Sequence, residues 1–464
     1  MRDFLHGNGA RFRYYMEIYM YISAIRKNNI GLFSILLFLS LSLFCFTGCA
    51  GKSDSNGDNS GGDVGTEEGP AEVWEGFALG QTGEGGLLSP RVTAVVDSNE
   101  YAHIFYFDKN GKNDTPYGIN YLVWDIKTSS LLSVSEPESV IEVDNCSALS
   151  LALDTDNSPV VAYQGGIFRE CGPEKQSDVM LSVKENEAWA EYTGATGIVK
   201  RNPVLPDGLA GTEVSVAVDS KGGVHLCYQF FYEGCDAMNF RYPDLQYVKK
   251  DSSALDAEVS EETVEGNIYE GSNMQNSVGE HAVITLDSHE DPAIFYYAEF
   301  PDGTNGLRVA RRKNGEWIKE WVEKDCVVGD ISAALSTDGY LAVAYYVKQY
   351  TDGRDDVDCL MYAKEESSSW VVRMVDDTTR NGKYCSLAFD PSGSPAIAYY
   401  EIESYSGRGL EDLKLARFNG KSWDREVVAS TGNIGLYNTL WFDNDNPVII
   451  SYSNTDKTIY IFYQ

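Results

Sequence analysis

Basic residues are scarce in this chain: 37 Lys and Arg stand against 70 Asp and Glu, a formal charge of −33. A surface of that sign repels phosphate backbones, which excludes nucleic acid as a partner. Histidine is scarcer still, with five in 464 residues, and only His103, His225, His281 and His289 lie beyond the N-terminal region. None sits in a His-Glu-x-x-His pair or a recognisable Ser-His-Asp set, so two common signatures of hydrolytic chemistry are missing. The nine cysteines form no Cys-x-x-Cys and no Cys-x-x-Cys-His, which leaves zinc ribbons, dithiol redox chemistry and c-type haem without ligands. Long apolar runs are absent too, except one.

That run extends from Ile30 to Phe46, follows Arg26 and Lys27, and ends Phe46-Thr47-Gly48-Cys49. A charged region, an apolar stretch and small residues in this order form a signal peptide over residues 1–48, with Met16 or Met20 as an alternative start. The ending resembles the lipobox of bacterial lipoproteins, although Phe46 stands where Leu is usual. The resemblance implies acylation of Cys49, palmitate included, a lipid anchor in a membrane of the bacterial cell envelope, and export. Removing residues 1–48 leaves 32 basic and 68 acidic residues, a formal charge of −36. Residues 49–72 are mostly Gly, Ser, Asp and Asn, with Val64 the one large apolar side chain between Gly51 and Pro70. Such a stretch cannot bury enough surface to fold and reads as a tether.

From residue 73 to 464 the chain repeats itself. Tyr384–Tyr400, YCSLAFDPSGSPAIAYY, reads as two short strands around a tight turn opened by Asp390, whose carboxylate suits the amide two residues on. Aligning this anchor Asp with the Tyr nine positions later gives Asp97/Tyr106, Asp154/Tyr163, Asp219/Tyr228, Asp287/Tyr296, Ser336/Tyr345, Asp390/Tyr399 and Asp443/Tyr452. Gly or Asn follows three after the anchor in five copies, whereas Glu100 and Glu290 occupy that place in the first and fourth, so those two turns are expected to differ in shape. Each hairpin leads to a third, alternating strand and, in several copies, a Trp-led fourth, as in Leu413–Arg417 followed by Trp423–Val428. Four strands in roughly fifty to sixty residues are the size of one propeller blade. The fold expected is therefore all-β: a seven-bladed β-propeller of four-stranded antiparallel blades. Its last repeat lacks a fourth strand, and Val73–Leu79 is expected to supply it, closing the ring with the N-terminal strand.

Four before the anchor stand Thr93, Ser150, Ser215, Val283, Ser332, Ser386 and Thr439, and this ring of small residues reads as packing between blades. The seven Tyr read the same way. His103 and His225, both six after their anchors, are explained by repeat packing better than by catalysis.

The second-to-third-strand loops are long and unlike one another. They carry Phe168, Arg169, Tyr232, Phe240, Arg241, Tyr242, Tyr350, Arg354, Tyr405 and Arg408, the aromatic and planar cationic types that serve recognition on a rigid scaffold. Loops entering the first strand share that face, so Cys146 is expected to meet Cys171, and Cys326 to meet Cys359, as disulfides. Cys227, Cys235 and Cys385 have no assignment. DKNGKND at Asp108–Asp114, with Asp108, Asn110 and Asp114, offers oxygen ligands for calcium without the full spacing of an EF-hand loop. No other cofactor is implied.

The repeats are distantly similar to those of sialidase-type propellers, whose Asp-box reads Ser-x-Asp-x-Gly-x-Thr-Trp. Here the turn joins the first and second strands, no copy has the Thr-Trp ending, and the arginine cluster of that family is missing, so the similarity implies a scaffold. The sequence thus points to an envelope lipoprotein that binds a protein or glycan through the loop-rich face. The alternatives are a glycan-cleaving enzyme, whose paired carboxylates the sequence does not single out, and a structural envelope protein.

Overall fold

The computed structural model describes residues 74–81, 91–109, 117–132, 138–143, 148–165, 178–185, 188–195, 208–232, 243–252, 259–266, 276–350, 358–367, 369–377, 381–402 and 411–464. Among these every regular element is a β-strand. The strands form seven antiparallel sheets, each one blade of a β-propeller. The first strands of the blades are Val92–Val96, Leu149–Leu153, Gly208–Val218, Ser277–Leu286, Cys326–Leu335, Asn381–Phe389 and Ile434–Asp443. Each packs beside its successor and the seventh packs beside the first, which closes the ring.

Closure is made by the predicted N-terminal strand, displaced by two residues. Glu75–Gln81 pairs antiparallel with Thr458–Tyr463, Glu75 opposite Tyr463 and Gln81 opposite Thr458, and completes the seventh blade. The first blade departs from the simple pattern, because its fourth place is shared. Ser130–Leu131 pairs with one end of the third strand and Glu138–Val143 with the other.

The interior is seven small cores, one at each interface between neighbouring blades. A chain of this length exceeds one convenient core, and a ring of repeats divides the burial among many. Both faces of each blade are covered, so the second strands are buried and mostly apolar: Pro159–Gly165 is buried at every position.

Turn chemistry explains the repetition. The Asp97, Asp154, Asp219 and Asp287 carboxylates each accept the amides two and four residues on, at 2.7–2.9 Å in the first three and 2.8 and 3.0 Å in Asp287. Asp390 accepts the Ser394 amide at 2.8 Å, and the Ser336 hydroxyl accepts that of Tyr340 at 3.1 Å. The expectation that the Glu100 and Glu290 turns differ is overturned. Both residues take positive φ, 68° and 64°, as Asn157 and Gly222 do, and both donate their amide to the anchor carbonyl. The capping carboxylate offsets the cost of a left-handed Glu. The turn that differs is the seventh, where Asp443 pairs directly with Asn446 and Asn444 carries the positive φ.

The small hydroxyls four before the anchor stitch blade to blade. Ser150, Ser215, Ser332 and Ser386 accept the amides of Val216, Ile284, Leu387 and Leu440 on the next first strand, at 3.0–3.1 Å. The seven repeated tyrosines are buried, and five of them donate to carboxylates on fourth strands. Tyr163 and Tyr228 reach Glu191 and Glu261 of their own blades. Tyr296, Tyr345 and Tyr399 reach Glu265, Glu323 and Asp376 of the preceding blade, at 2.5, 2.6 and 2.6 Å. His103 and His225 are structural: each ring nitrogen Nδ1 lies 2.7 Å from a tyrosine hydroxyl, of Tyr121 and Tyr247, and Nε2 faces the anchor Asp. Burial lowers the pKa of both histidines, against the pull of Asp97 and Asp219.

Cys326 and Cys359, expected as a disulfide, are separate buried thiols. Cys326 pairs with Tyr350 and Cys359 with Val347, on opposite edges of the second strand of blade five. Residues two strands apart lie about 9 to 10 Å apart, beyond the 4.4–6.8 Å that a disulfide spans. Burial pushes the Cys326 thiol up, and Glu323 adds to the shift. Cys227 and Cys385 are buried thiols as well.

Candidate functional site

Antiparallel order places the starts of all first strands and the ends of all second strands on one face, opposite the Asp-capped hairpins. The loops singled out from the sequence leave from this face. Tyr232 and Tyr350 end the second strands Val224–Tyr232 and Leu341–Tyr350, although their side chains are outside the described residues. Phe168, Arg169, Phe240, Arg241, Tyr242, Arg354, Tyr405 and Arg408 lie outside them entirely, as do Cys49, Cys146 and Cys171. Asn110 and Asp114 do too, and of Asp108 only the backbone is described, opposite Gly118. Among the described residues no cluster of His, Cys, Asp and Glu is built to hold a metal ion.

What the sequence reading missed is a single repeat position on this face. Six before the seven anchors stand Arg91, Ala148, Glu213, His281, Asp330, Tyr384 and Tyr437. Six of the seven carry polar or aromatic groups, of five residue types. The register explains how these side chains are presented. In blades three to seven the first strand skips residues against its partner at this point: between Ala210 and Val214, Glu280 and Val283, Val328 and Ile331, Lys383 and Ser386, and Leu436 and Thr439. A β-bulge re-aims a side chain out of the alternation of its strand. His281, Tyr384 and Tyr437 also take positive φ, 56°, 52° and 54°, an unusual conformation for such residues. The glycine two before Tyr437 is required. Gly435 has φ 112°, and a Cβ there would meet the Asp412 carbonyl oxygen at 3.0 Å.

Four of these seven residues touch in turn, from Arg91 through Tyr437 and Tyr384 to Asp330. The guanidinium of Arg91 lies over the ring of Tyr437, 5.7 Å from its centroid, and Tyr437 lies 4.8 Å from Tyr384. The Tyr384 amide donates to Asp330 Oδ2 at 3.1 Å, which joins blade six to blade five. Asn438 Nδ2 donates to the Gly435 carbonyl at 2.7 Å and the Tyr384 carbonyl at 3.0 Å, and so holds the seventh bulge against the sixth. Burial raises the pKa of Glu213; His281 and Arg91 oppose the shift and Asp330 and Glu280 add to it. These charges act on one carboxyl from blades one, four and five. Burial also pushes the Tyr384 hydroxyl up, with Tyr437 and Asp330 reinforcing the effect.

The arrangement thus offers a partly buried cation, a carboxylate, a carboxyl biased toward its proton, an imidazole and a pair of aromatic faces around one axis. A rigid mixed site of this kind can grip a small polar ring by stacking and hydrogen bonds. The signal was present in the sequence as glycine two before His281, Tyr384 and Tyr437.

No protein-family model and no curated protein matches the sequence. Solved structures are similar to it in architecture. The polysaccharide lyase Uly1 covers 82% of this chain and 91% of its own at 10% identity, with a TM-score of 0.49. An α-L-arabinanase of Penicillium chrysogenum, complexed with arabinobiose, covers 81% and 92% at 10% identity and a TM-score of 0.46. The Hadza microbial sialidase Hz136 covers 76% and 73% at 11% identity and a TM-score of 0.46. The likeness to these glycan-active enzymes is one of propeller scaffold.

Proposed function

We propose that this chain is an exported bacterial envelope lipoprotein, tethered through acylated Cys49, whose propeller binds a glycan at the axial ring of its loop-rich face. The observation that carries the glycan reading is the ring itself: polar and aromatic groups at one repeat position of the loop-rich face, bulged in blades three to seven, with Arg91, Tyr437, Tyr384 and Asp330 joined in a row. Aromatic pairs beside hydrogen-bonding groups suit sugar rings, which present an apolar face and a polar edge. The proposal includes as further ligand contacts the loop residues Phe168, Arg169, Tyr232, Phe240, Arg241, Tyr242, Tyr350, Arg354, Tyr405 and Arg408, on the strength of their residue types. The lipid anchor rests on the order of charged region, apolar run, small residues and Cys49.

Glycan-array binding of the detergent-solubilised chain tests the site. Tyr384→Ala with Tyr437→Ala, and Tyr232→Ala with Phe240→Ala and Arg241→Ala, should each weaken binding more than about tenfold. Changes at Lys313 and Asn314, in a turn of the opposite face, should do little. The reverse pattern refutes the placement. Cys49→Ser should abolish lipid labelling and membrane retention, and retention without label refutes the anchor.

One observation favours a second reading, a glycan hydrolase. Burial biases Glu213 toward its protonated form within reach of the Asp330 charge, as an acid and a base or nucleophile would require. Release of reducing ends from a bound glycan, lost in Glu213→Gln and Asp330→Asn with binding retained, would establish it.

A further inference from the structure

The described arginines of this propeller are paired with carboxylates, with one exception. Arg308 meets Glu265 at 3.0 Å, Arg311 meets Glu365 at 3.0 Å and Glu320 at 3.3 Å, and Arg312 meets Glu262. Arg373, Arg417 and Arg425 face Glu366, Glu426 and Asp376 at 4.0, 3.3 and 2.8 Å. Among the described residues Arg91 alone has no carboxylate partner; its guanidinium has only the Tyr437 ring beneath it. Acids are not in short supply, with 70 in the chain. Two of them stand at the same ring position. Asp330 directs an oxygen to the Tyr384 amide, and burial moves Glu213 toward its neutral form. A partly buried cation ordinarily has an anion beside it, because burial without one costs desolvation with no return. The planar fork of arginine matches a carboxylate with two parallel hydrogen bonds.

We infer that Arg91 receives a carboxylate from the ligand, so that the glycan bound at the axial ring is an acidic one, with a uronate or sialate unit stacked on Tyr437 and Tyr384. This rests on the glycan reading and narrows it. The chain as a whole is strongly acidic, so long-range attraction does not recruit such a ligand; the selectivity is local to one arginine.

The test is equilibrium binding of the detergent-solubilised full chain to two acidic probes and their neutral counterparts: trigalacturonate against its carboxyl-reduced trigalactose, and sialyllactose against lactose. The expected result is that an acidic probe binds at least about tenfold tighter than its counterpart, and which one does so identifies the source of the carboxylate. Arg91→Gln should abolish the preference. Arg91→Lys, which keeps charge without the fork, should retain part of it, and serves if the Gln variant folds poorly. Equal binding of acidic and neutral probes, or a preference that survives Arg91→Gln, overturns the inference and leaves the glycan reading standing. Absence of binding by all four probes removes both.

Discussion

Removing the hydroxyl of Tyr345 measures how blades are held to one another. Tyr345 is fully buried and donates to Glu323 Oε2 across the interface between blades five and four, at 2.6 Å. Phe fits the same space, so Tyr345→Phe deletes one donor and leaves little cavity. A hydrogen bond to a charged group contributes about 1.5–3 kcal/mol, and Glu323 is itself partly buried, with the Cys326 thiol 4.0 Å away. We expect a loss of about 2 kcal/mol. Unfolding entropy of roughly 2.1 cal/mol/K per residue over about 395 residues gives about 0.8 kcal/mol/K, so Tm should fall by only about 2 to 3 °C. Urea unfolding reads the change better, with a double-mutant cycle through Glu323→Gln. A coupling energy above about 1 kcal/mol is expected, and a Tyr345→Phe variant within about 0.5 kcal/mol of wild type refutes the interblade link.

Ring closure and the Glu213 environment give two further tests. Leu79, buried between the last and first blades, should cost about 2–5 kcal/mol as Leu79→Ala in a denaturant melt; an unchanged midpoint refutes closure by the N-terminal strand. Because the folded state raises the Glu213 pKa above 4.5, it binds the proton more tightly than the unfolded chain, and stability drains away as pH rises through and above that value. Glu213→Gln should therefore gain stability relative to wild type at pH 8 compared with pH 4, and a pH-independent difference contradicts the buried carboxyl.

The architecture was legible because its determinants are local and repeated. One Asp side chain caps two amides in four of the hairpins, and Ser336 and Asp390 cap one, so the spacing from anchor to Tyr is kept through seven copies and counts the blades. The missing fourth strand of the last repeat pointed to Val73–Leu79 for the same reason, two residues short of the observed Glu75–Gln81. Less of the site could be read. Aligning repeats on what they share discards what differs, and Arg91, Glu213, His281, Asp330, Tyr384 and Tyr437 share only a position. The bulges that aim those of blades three to seven come from register shifts, which no alternation of polar and apolar residues displays. Turn shape at Glu100 and Glu290 was misjudged because the identity of one residue was weighed above the cap that holds it.

Backbone strain at the ring provides the sharpest separation of stability from function. His281 holds φ 56° in its bulge, a left-handed conformation that costs an L-residue about 1–2 kcal/mol relative to the right-handed one. Gly adopts it freely, whereas at an ordinary strand position Gly is less stable than Ala by roughly 0.5–1 kcal/mol. The order of the two substitutions should reverse here. His281→Gly should be more stable than His281→Ala by about 1 kcal/mol in chemical denaturation, since both lose the imidazole and only the alanine variant keeps the strain. Both should bind glycan equally weakly, because what they lack in common is the group presented to the axis. If Ala equals or exceeds Gly, the positive φ carries no cost and the case for a site maintained against stability fails at that blade. If the Gly variant binds as wild type does, His281 is part of the scaffold, and the ligand is held by the arc from Asp330 through Tyr384 and Tyr437 to Arg91.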